Sequence, residues 1–203
     1  MTPPIKSPEN DTVIFKQYSL KSIKDKQINK KELQKELKLK ESQDLFLITV
    51  TTELTDSLKG EDVIIALQGL LEIGIQVVLR ARGSKKYQKY AEELLKKYPN
   101  NFRIIDDNDE CLRKMYAGGD ASIFLDFNNE EEIENCMRYG NIPVSVAHKD
   151  LEDFNAVEER GNAFIITKVS PWYIFEAVVR AKENFKFPYD WKNIQKACIE
   201  TKN

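Results

Sequence analysis

The feature that most constrains the fold of this chain is an alternation that begins near Asp44. Short apolar, β-branched runs recur, each followed by a longer stretch with helical spacing. Leu45–Thr51 is a short, mostly apolar run, which predicts a buried strand. Glu61–Ile73 then carries apolar residues at 63, 64, 67, 70 and 71 and stops at Gly74, the pattern of a helix with a glycine just past its end. Further strands are predicted at Gln76–Ala81, Phe102–Ile105, Ala121–Phe127, Pro143–Ala147 and Ala163–Thr167. Helices are predicted at Ser84–Tyr98, Asp109–Ala117, Asn129–Tyr139, Ser170–Asn184 and Tyr189–Thr201, with Asp150–Gly161 mostly loop. Strands joined by helices of this length require right-handed crossovers, so the fold class is α/β with a doubly wound, mostly parallel sheet.

Residues 1–40 stand apart as an irregular, basic lead-in with one short helix, and residues 41–203 form the lobe with its C-terminal helices. Val13–Tyr18 reads as a short extended piece. Asn29-Lys30-Lys31-Glu32 has the form of a capping box, with Leu33 and Leu37 on one helix face behind it. The 203 residues are 41% hydrophobic and 32% charged, enough apolar material to exclude a disordered chain. The 31 basic and 33 acidic side chains sum to −2, without the basic excess of a nucleic-acid binder. Met1–Ser19 has no apolar signal-peptide core, and no apolar run approaches the ~20 residues that span a bilayer. No membrane partner is expected, and the expected compartment is the cytoplasm. Cys111, Cys136 and Cys198 are too few and too widely spaced for a zinc site or a disulfide framework, and read as buried apolar residues. No metal and no cofactor are expected.

In a sheet of this kind ligands bind at the carboxyl ends of the strands, which directs attention to the loops that follow them. Lys59-Gly60 at a helix start could set an ammonium beside backbone amides, an arrangement that suits phosphate. Arg82 and Gly83, with Arg80 and Ser84, form a second cationic loop. His148, the only histidine, follows the strand that ends at Ala147 and could meet an anion or act as a base. Glu130, Glu131, Glu132 and Glu134 crowd one helix start, where the helix dipole favours carboxylates. Residues 106–134 hold ten acids against two bases, a rim that discourages a phosphate-bearing ligand. Trp172, Tyr173 and Trp191 are expected in the core.

Four stretches resemble the C-terminal lobe of the bacterial glycogen/starch synthase family: Asn29–Leu39, Met115-Tyr-Ala-Gly-Gly-Asp120, Met137-Arg-Tyr-Gly-Asn-Ile-Pro-Val144 and Trp191–Ala197. The family comprises retaining glucosyltransferases that use ADP-glucose or UDP-glucose. The resemblance implies a Rossmann-like lobe of the two-lobed GT-B fold, with ADP, UDP or a nucleotide-glucose as a weakly held ligand. It further implies that Tyr116 stacks on the nucleotide base and that Lys59, beside Gly60, meets the phosphates. Other positions depart from the family pattern. Glu53 falls where the family has a phosphate-facing arginine, and at about 4 Å and an effective dielectric near 20 each unit of charge is worth about 4 kcal/mol. Phe127–Ile133 replaces the segment with the active-site glutamate, leaving Glu130 as the one catalytic candidate, and Ala147-His148-Lys149-Asp150 replaces a glycine-rich loop. The resemblance therefore implies a catalytically degenerate lobe that binds a nucleotide sugar or a protein partner. Its alternatives are an active glucosyltransferase lobe working with a separate N-terminal lobe, and a ligand-free scaffold.

Overall fold

The structure is a computed structural model and describes residues 7–126 and 130–201. Its strands are β1 (Leu47–Val50), β2 (Gln76–Arg80), β3 (Phe102–Ile105), β4 (Ala121–Phe124), β5 (Ile142–Val146) and β6 (Phe164–Ile166). They form one sheet in the order β3-β2-β1-β4-β5-β6, and every neighbouring pair is parallel. Every residue of β1, β4 and β5 is buried, as expected of strands covered on both faces. The helices are α1 (Lys26–Glu36), α2 (Gly60–Glu72), α3 (Lys85–Lys97), α4 (Asp109–Gly118), α5 (Glu130–Arg138), α6 (Pro171–Phe185) and α7 (Pro188–Thr201). The fold is the Rossmann-like α/β sheet that the alternation predicts. Most elements lie within a residue or two of their expected bounds. The expected strand from Ala121 stops at Phe124, and the expected ends at Phe127 and Asn129 lie outside the described residues.

The lead-in departs from its sequence reading. Residues 13–18 form no strand, and a 3-10 helix at Leu20–Asp25 runs into α1. Asn29 therefore lies inside the helix and caps nothing. Its side chain instead accepts from the Lys16 amide (3.0 Å) and donates to the Lys16 carbonyl (2.7 Å), holding the incoming strand of chain. Ile14, Tyr18, Ile23 and Leu33 are buried, so the segment belongs to the core of the lobe.

Two lysines of this basic segment are buried as well. Lys26 Nζ donates to the carbonyls of Tyr116 (2.6 Å) and Ala117 (2.9 Å), satisfying acceptors at the C-terminal turn of α4. Lys30 Nζ donates to Asp120 (2.6 Å) and to the Gln43 carbonyl (2.9 Å), and Asp120 also accepts from the Leu47 amide (2.8 Å). Burial pushes the Lys26 ammonium down to about 7 and raises the Asp120 carboxyl.

Helix α7 closes the N-terminal edge of the sheet. Trp191 packs edge-on against Phe46 (5.7 Å between ring centroids) and Phe185 (5.4 Å), while Gln195 donates to the Gly140 carbonyl at 3.2 Å. Cys136 and Cys198 are buried and Cys111 partly so; burial pushes the Cys136 thiol up to about 12, far from a reactive thiolate. Among the described residues no helix is long and apolar enough to cross a membrane.

Candidate functional site

Strand order reverses direction between β1 and β4, which puts the ligand crevice of such a sheet above their carboxyl ends. The floor there is tied shut. Thr52, just past β1, donates through its hydroxyl to the Ile123 carbonyl (3.2 Å) and accepts from the Leu125 amide (3.1 Å). The β1–α2 and β2–α3 loops are also joined. Leu54 donates to the Arg82 carbonyl (3.2 Å) and accepts from the Ser84 amide (3.0 Å). Gly83 makes this approach possible: its φ is +122°, and a Cβ there would lie 2.2 Å from the Leu54 carbonyl oxygen.

Four charged side chains lie over this crevice. Arg80, at the end of β2, pairs with Glu132 of α5 at 2.7 Å and with Asp107 of the β3–α4 loop at 2.5 Å. Arg82 reaches the same two carboxylates, at 3.2 Å and 3.6 Å. Because β1 separates β2 from β4, and α5 follows β4, the Arg80–Glu132 pair spans the switch point. The Arg80 and Glu132 side chains are only 11% and 16% exposed, so the pair is poorly screened by water. Beside Arg80 and Arg82, against α3, a cavity of about 260 Å³ is lined in part by Leu54, Leu79, Tyr87 and Ile104. That is below the ~300 Å³ at which small-molecule sites usually begin.

The sequence candidates are scattered around this cluster. Lys59 is exposed at the N-cap of α2 in the left-handed region (φ 56°), and its side chain makes no ion pair among the described residues. The Gly60 amide is spent on the Thr55 carbonyl (2.8 Å) and is not offered to a ligand. Glu61 and Asp62 follow in the first turn of α2, and Glu53 is exposed.

Tyr116 does not fit the stacking role that the resemblance implies. It is fully buried in α4, with its ring 6.0 Å from that of Tyr139 and its hydroxyl without a hydrogen-bond partner among the described residues. A ring with no exposed face cannot receive a nucleotide base.

Glu130 pairs with Lys149, which holds its carboxyl below the usual range. A general acid needs the opposite shift. Carboxylate oxygens of Glu130, Glu134 and Asp150 lie within 4.8 Å of one another, and His148 accepts from the Asp150 amide at 3.4 Å through Nδ1. Of the aromatic residues expected inside, Trp191 is buried, but Trp172 is 79% exposed and Tyr173 is also exposed. They open α6 behind Pro171, and Trp172 lines a surface cavity with Ile65, Gly69 and Glu72 of α2.

The cluster itself was half visible in the sequence. Arg80 and Arg82 stood out as a cationic loop, and Asp107 and Glu132 as part of an acidic rim. The pairing with Glu132 joins residues 52 and 50 positions apart, a separation that no local pattern reports.

A crevice at a β1/β4 switch point, flanked by charged loops, is that of a Rossmann-like ligand-binding lobe. Comparison with known proteins makes the assignment specific: the chain belongs to the glycogen synthase family and corresponds to its C-terminal lobe. It is 32% identical over 209 residues to the glycogen synthase of Thermosipho africanus, an alignment covering 96% of this chain and 42% of that protein. It is 32% identical over 208 residues to that of Finegoldia magna, covering 97% and 43%. The chain thus spans less than half the length of the curated relatives it matches. Among solved structures, the catalytic domain of starch synthase IV from Arabidopsis thaliana, bound to ADP and acarbose, superposes with a TM-score of 0.82 at 21% identity over 95% of this chain and 42% of that one. HepE from Anabaena, in complex with UDP and glucose, superposes with a TM-score of 0.63 at 13% identity over 85% of this chain and 46% of that one. No family model matches the chain.

Proposed function

We propose that this chain is a glycogen-synthase-type lobe whose nucleotide-sugar crevice is closed by its own ion pairs, so that it is not by itself a centre of glucosyl transfer. The observation that carries this reading is the pairing of Arg80 and Arg82 with Glu132 and Asp107. A nucleoside diphosphate in the crevice needs cations, and here the two arginines nearest the switch point already hold two carboxylates. Admitting the ligand means parting a largely buried pair, which costs about 3–5 kcal/mol when a charge is left without a partner. Glu53 adds a third negative charge at the crevice mouth, opposite in sign to what the family resemblance implies there. Exposed Lys59 is the one cation of the family pattern left available. The starch synthase and HepE structures hold ADP and UDP, so nucleoside diphosphate is the ligand class against which closure is measured.

Binding is the informative readout, because the chain spans less than half of its relatives and transfer draws on the remainder. Calorimetric titration with ADP, UDP, ADP-glucose and UDP-glucose should give dissociation constants no tighter than about 1 mM at the crevice. Micromolar binding that is lost in Arg82→Ala would overturn the proposed closure.

A further inference from the structure

Two lysine-bearing stretches more than 150 residues apart meet at the N-terminal edge of the sheet, the edge opposite the crevice. Lys21 and Lys24 come from the 3-10 helix, and Lys186 and Lys192 from the junction of α6 and α7. Together they line a cavity of about 600 Å³, more than twice the volume of the one beside Arg80. Its floor is apolar and aromatic, formed in part by Phe185 and Trp191.

The charge around this cavity is out of keeping with the molecule. The whole chain carries −2, yet the lining holds four ammonium groups and a single carboxylate, Asp44. Lys186 is paired, with Glu183 at 2.6 Å. Lys21, Lys24 and Lys192 are exposed and have no ion pair among the described residues. Like charges gathered at one mouth repel each other unless an anion joins them. The sequence marked the segment 16–40 as basic, and the structure divides that charge by use. Lys26 and Lys30 turn inward to hold α4 and Asp120, whereas Lys21 and Lys24 face the cavity. The lining has hydrogen-bonding capacity to spare: Trp191 is 4% exposed, and among the described residues neither its indole N–H nor the side-chain oxygen of Gln27 has a partner.

We infer that this cavity binds a small organic phosphate, with the phosphate groups among the lysines and the organic body over the Phe185–Trp191 floor. Ammonium groups on flexible stems act as point charges that gather around phosphate oxygens, and the volume lies in the ~300–1,000 Å³ range of small-molecule sites. Such a site is separate from the crevice and survives whether or not the crevice is closed.

Trp191 supplies the readout, since Trp172 is the only other tryptophan and is exposed. In a Trp172→Phe background, adding ADP should give a saturable change in Trp191 fluorescence, and pyrophosphate a weaker one that reports the charge contribution alone. Affinity should fall as salt is raised. Lys24→Glu combined with Lys192→Glu should weaken ADP at least tenfold, with the fold checked by circular dichroism because both lysines are exposed. Arg82→Ala should leave this binding unchanged, which separates it from any nucleotide affinity of the crevice. The inference is overturned if neither probe gives a saturable change up to about 10 mM, or if the double lysine variant binds ADP as the parent does.

Discussion

The Arg80 guanidinium and the Glu132 carboxylate meet at 2.7 Å over the carboxyl end of β1, joining the end of β2 to the first turns of α5. Removing the carboxylate leaves Asp107 as the one carboxylate holding the two arginines and should release part of their charge for a ligand. Glu132→Ala is expected to strengthen ADP binding at the crevice by about tenfold or more, equivalent to about 1.4 kcal/mol. Calorimetry on the variant, in the Lys24→Glu/Lys192→Glu background, checks this. Unchanged affinity would mean that the pair does not guard the crevice.

Tyr116 offers a complementary test. Its buried hydroxyl has no partner among the described residues, so Tyr116→Phe removes an uncompensated polar group. The variant should be as stable as the parent or more stable, by up to about 1 kcal/mol in urea denaturation. Its nucleotide affinity should not change. Weaker nucleotide binding would set the Tyr116 hydroxyl against the ligand and contradict its burial.

The fold was legible in the sequence wherever neighbouring residues determine it. The β-branched runs at 45–51 and 76–81 and the periodic stretch at 61–73 became β1, β2 and α2 because burial on one face or on both acts within a few residues. Asn29 was misread because a capping pattern is local, while its partner, Lys16, lies 13 residues back on a neighbouring segment. The burial of Lys26 and Lys30 was not legible either, since Tyr116 and Asp120, which accept from them, each lie 90 residues away. Tyr116 could have been placed: Leu112, four residues earlier, shares its buried side of α4 at helical spacing. The resemblance drew attention to the tyrosine as a ligand contact instead. Exposed Trp172 shows the reverse, because nothing in the hydrophobicity of an indole says which way it faces.

The buried Lys26 sets a pH dependence. Its ammonium sits at about 7 in the folded protein, against 10.5 in a free chain, so the unfolded chain binds more protons between those values and stability rises with pH through that window. Asp120, Lys30, Cys136 and Cys198 are the charged and titratable groups acting on it. The two thiols, raised by burial, work in the opposite direction once the unfolded chain begins to lose thiol protons above about pH 8. The urea midpoint should therefore climb between about pH 7 and 8, by about 1 kcal/mol of stability, and Lys26→Met should flatten the rise.

Lys30 and Asp120 form a fully desolvated pair. Asp120→Asn keeps an acceptor for the Leu47 amide but leaves the Lys30 charge without its partner, and should cost about 3–5 kcal/mol. Lys30→Met added to Asp120→Asn should recover much of that loss. A double-mutant cycle by chemical denaturation measures the coupling, and simple additivity would contradict it.

Two glycines of positive φ separate conformational strain from steric exclusion. At Gly74 (φ +79°) an added Cβ meets nothing within 4 Å, so Gly74→Ala should cost about 1–2 kcal/mol. At Gly83 the same methyl collides with the Leu54 carbonyl, and the cost should exceed about 3 kcal/mol. Thermal denaturation of the two variants ranks them directly.

Helix α4 has a bearing beyond its place in the fold. At its head, Asn108 caps the first turn through the Cys111 amide, immediately after Asp107 has engaged both arginines. At its foot, the Tyr116 and Ala117 carbonyls are gripped by Lys26, two residues beyond cavity-lining Lys24. Ten residues at ~1.5 Å each make it a strut of ~15 Å fastened at both ends. The upper and lower edges of the lobe are thereby braced by one member, and a change that reseats Lys26 bears directly on the helix that positions Asp107.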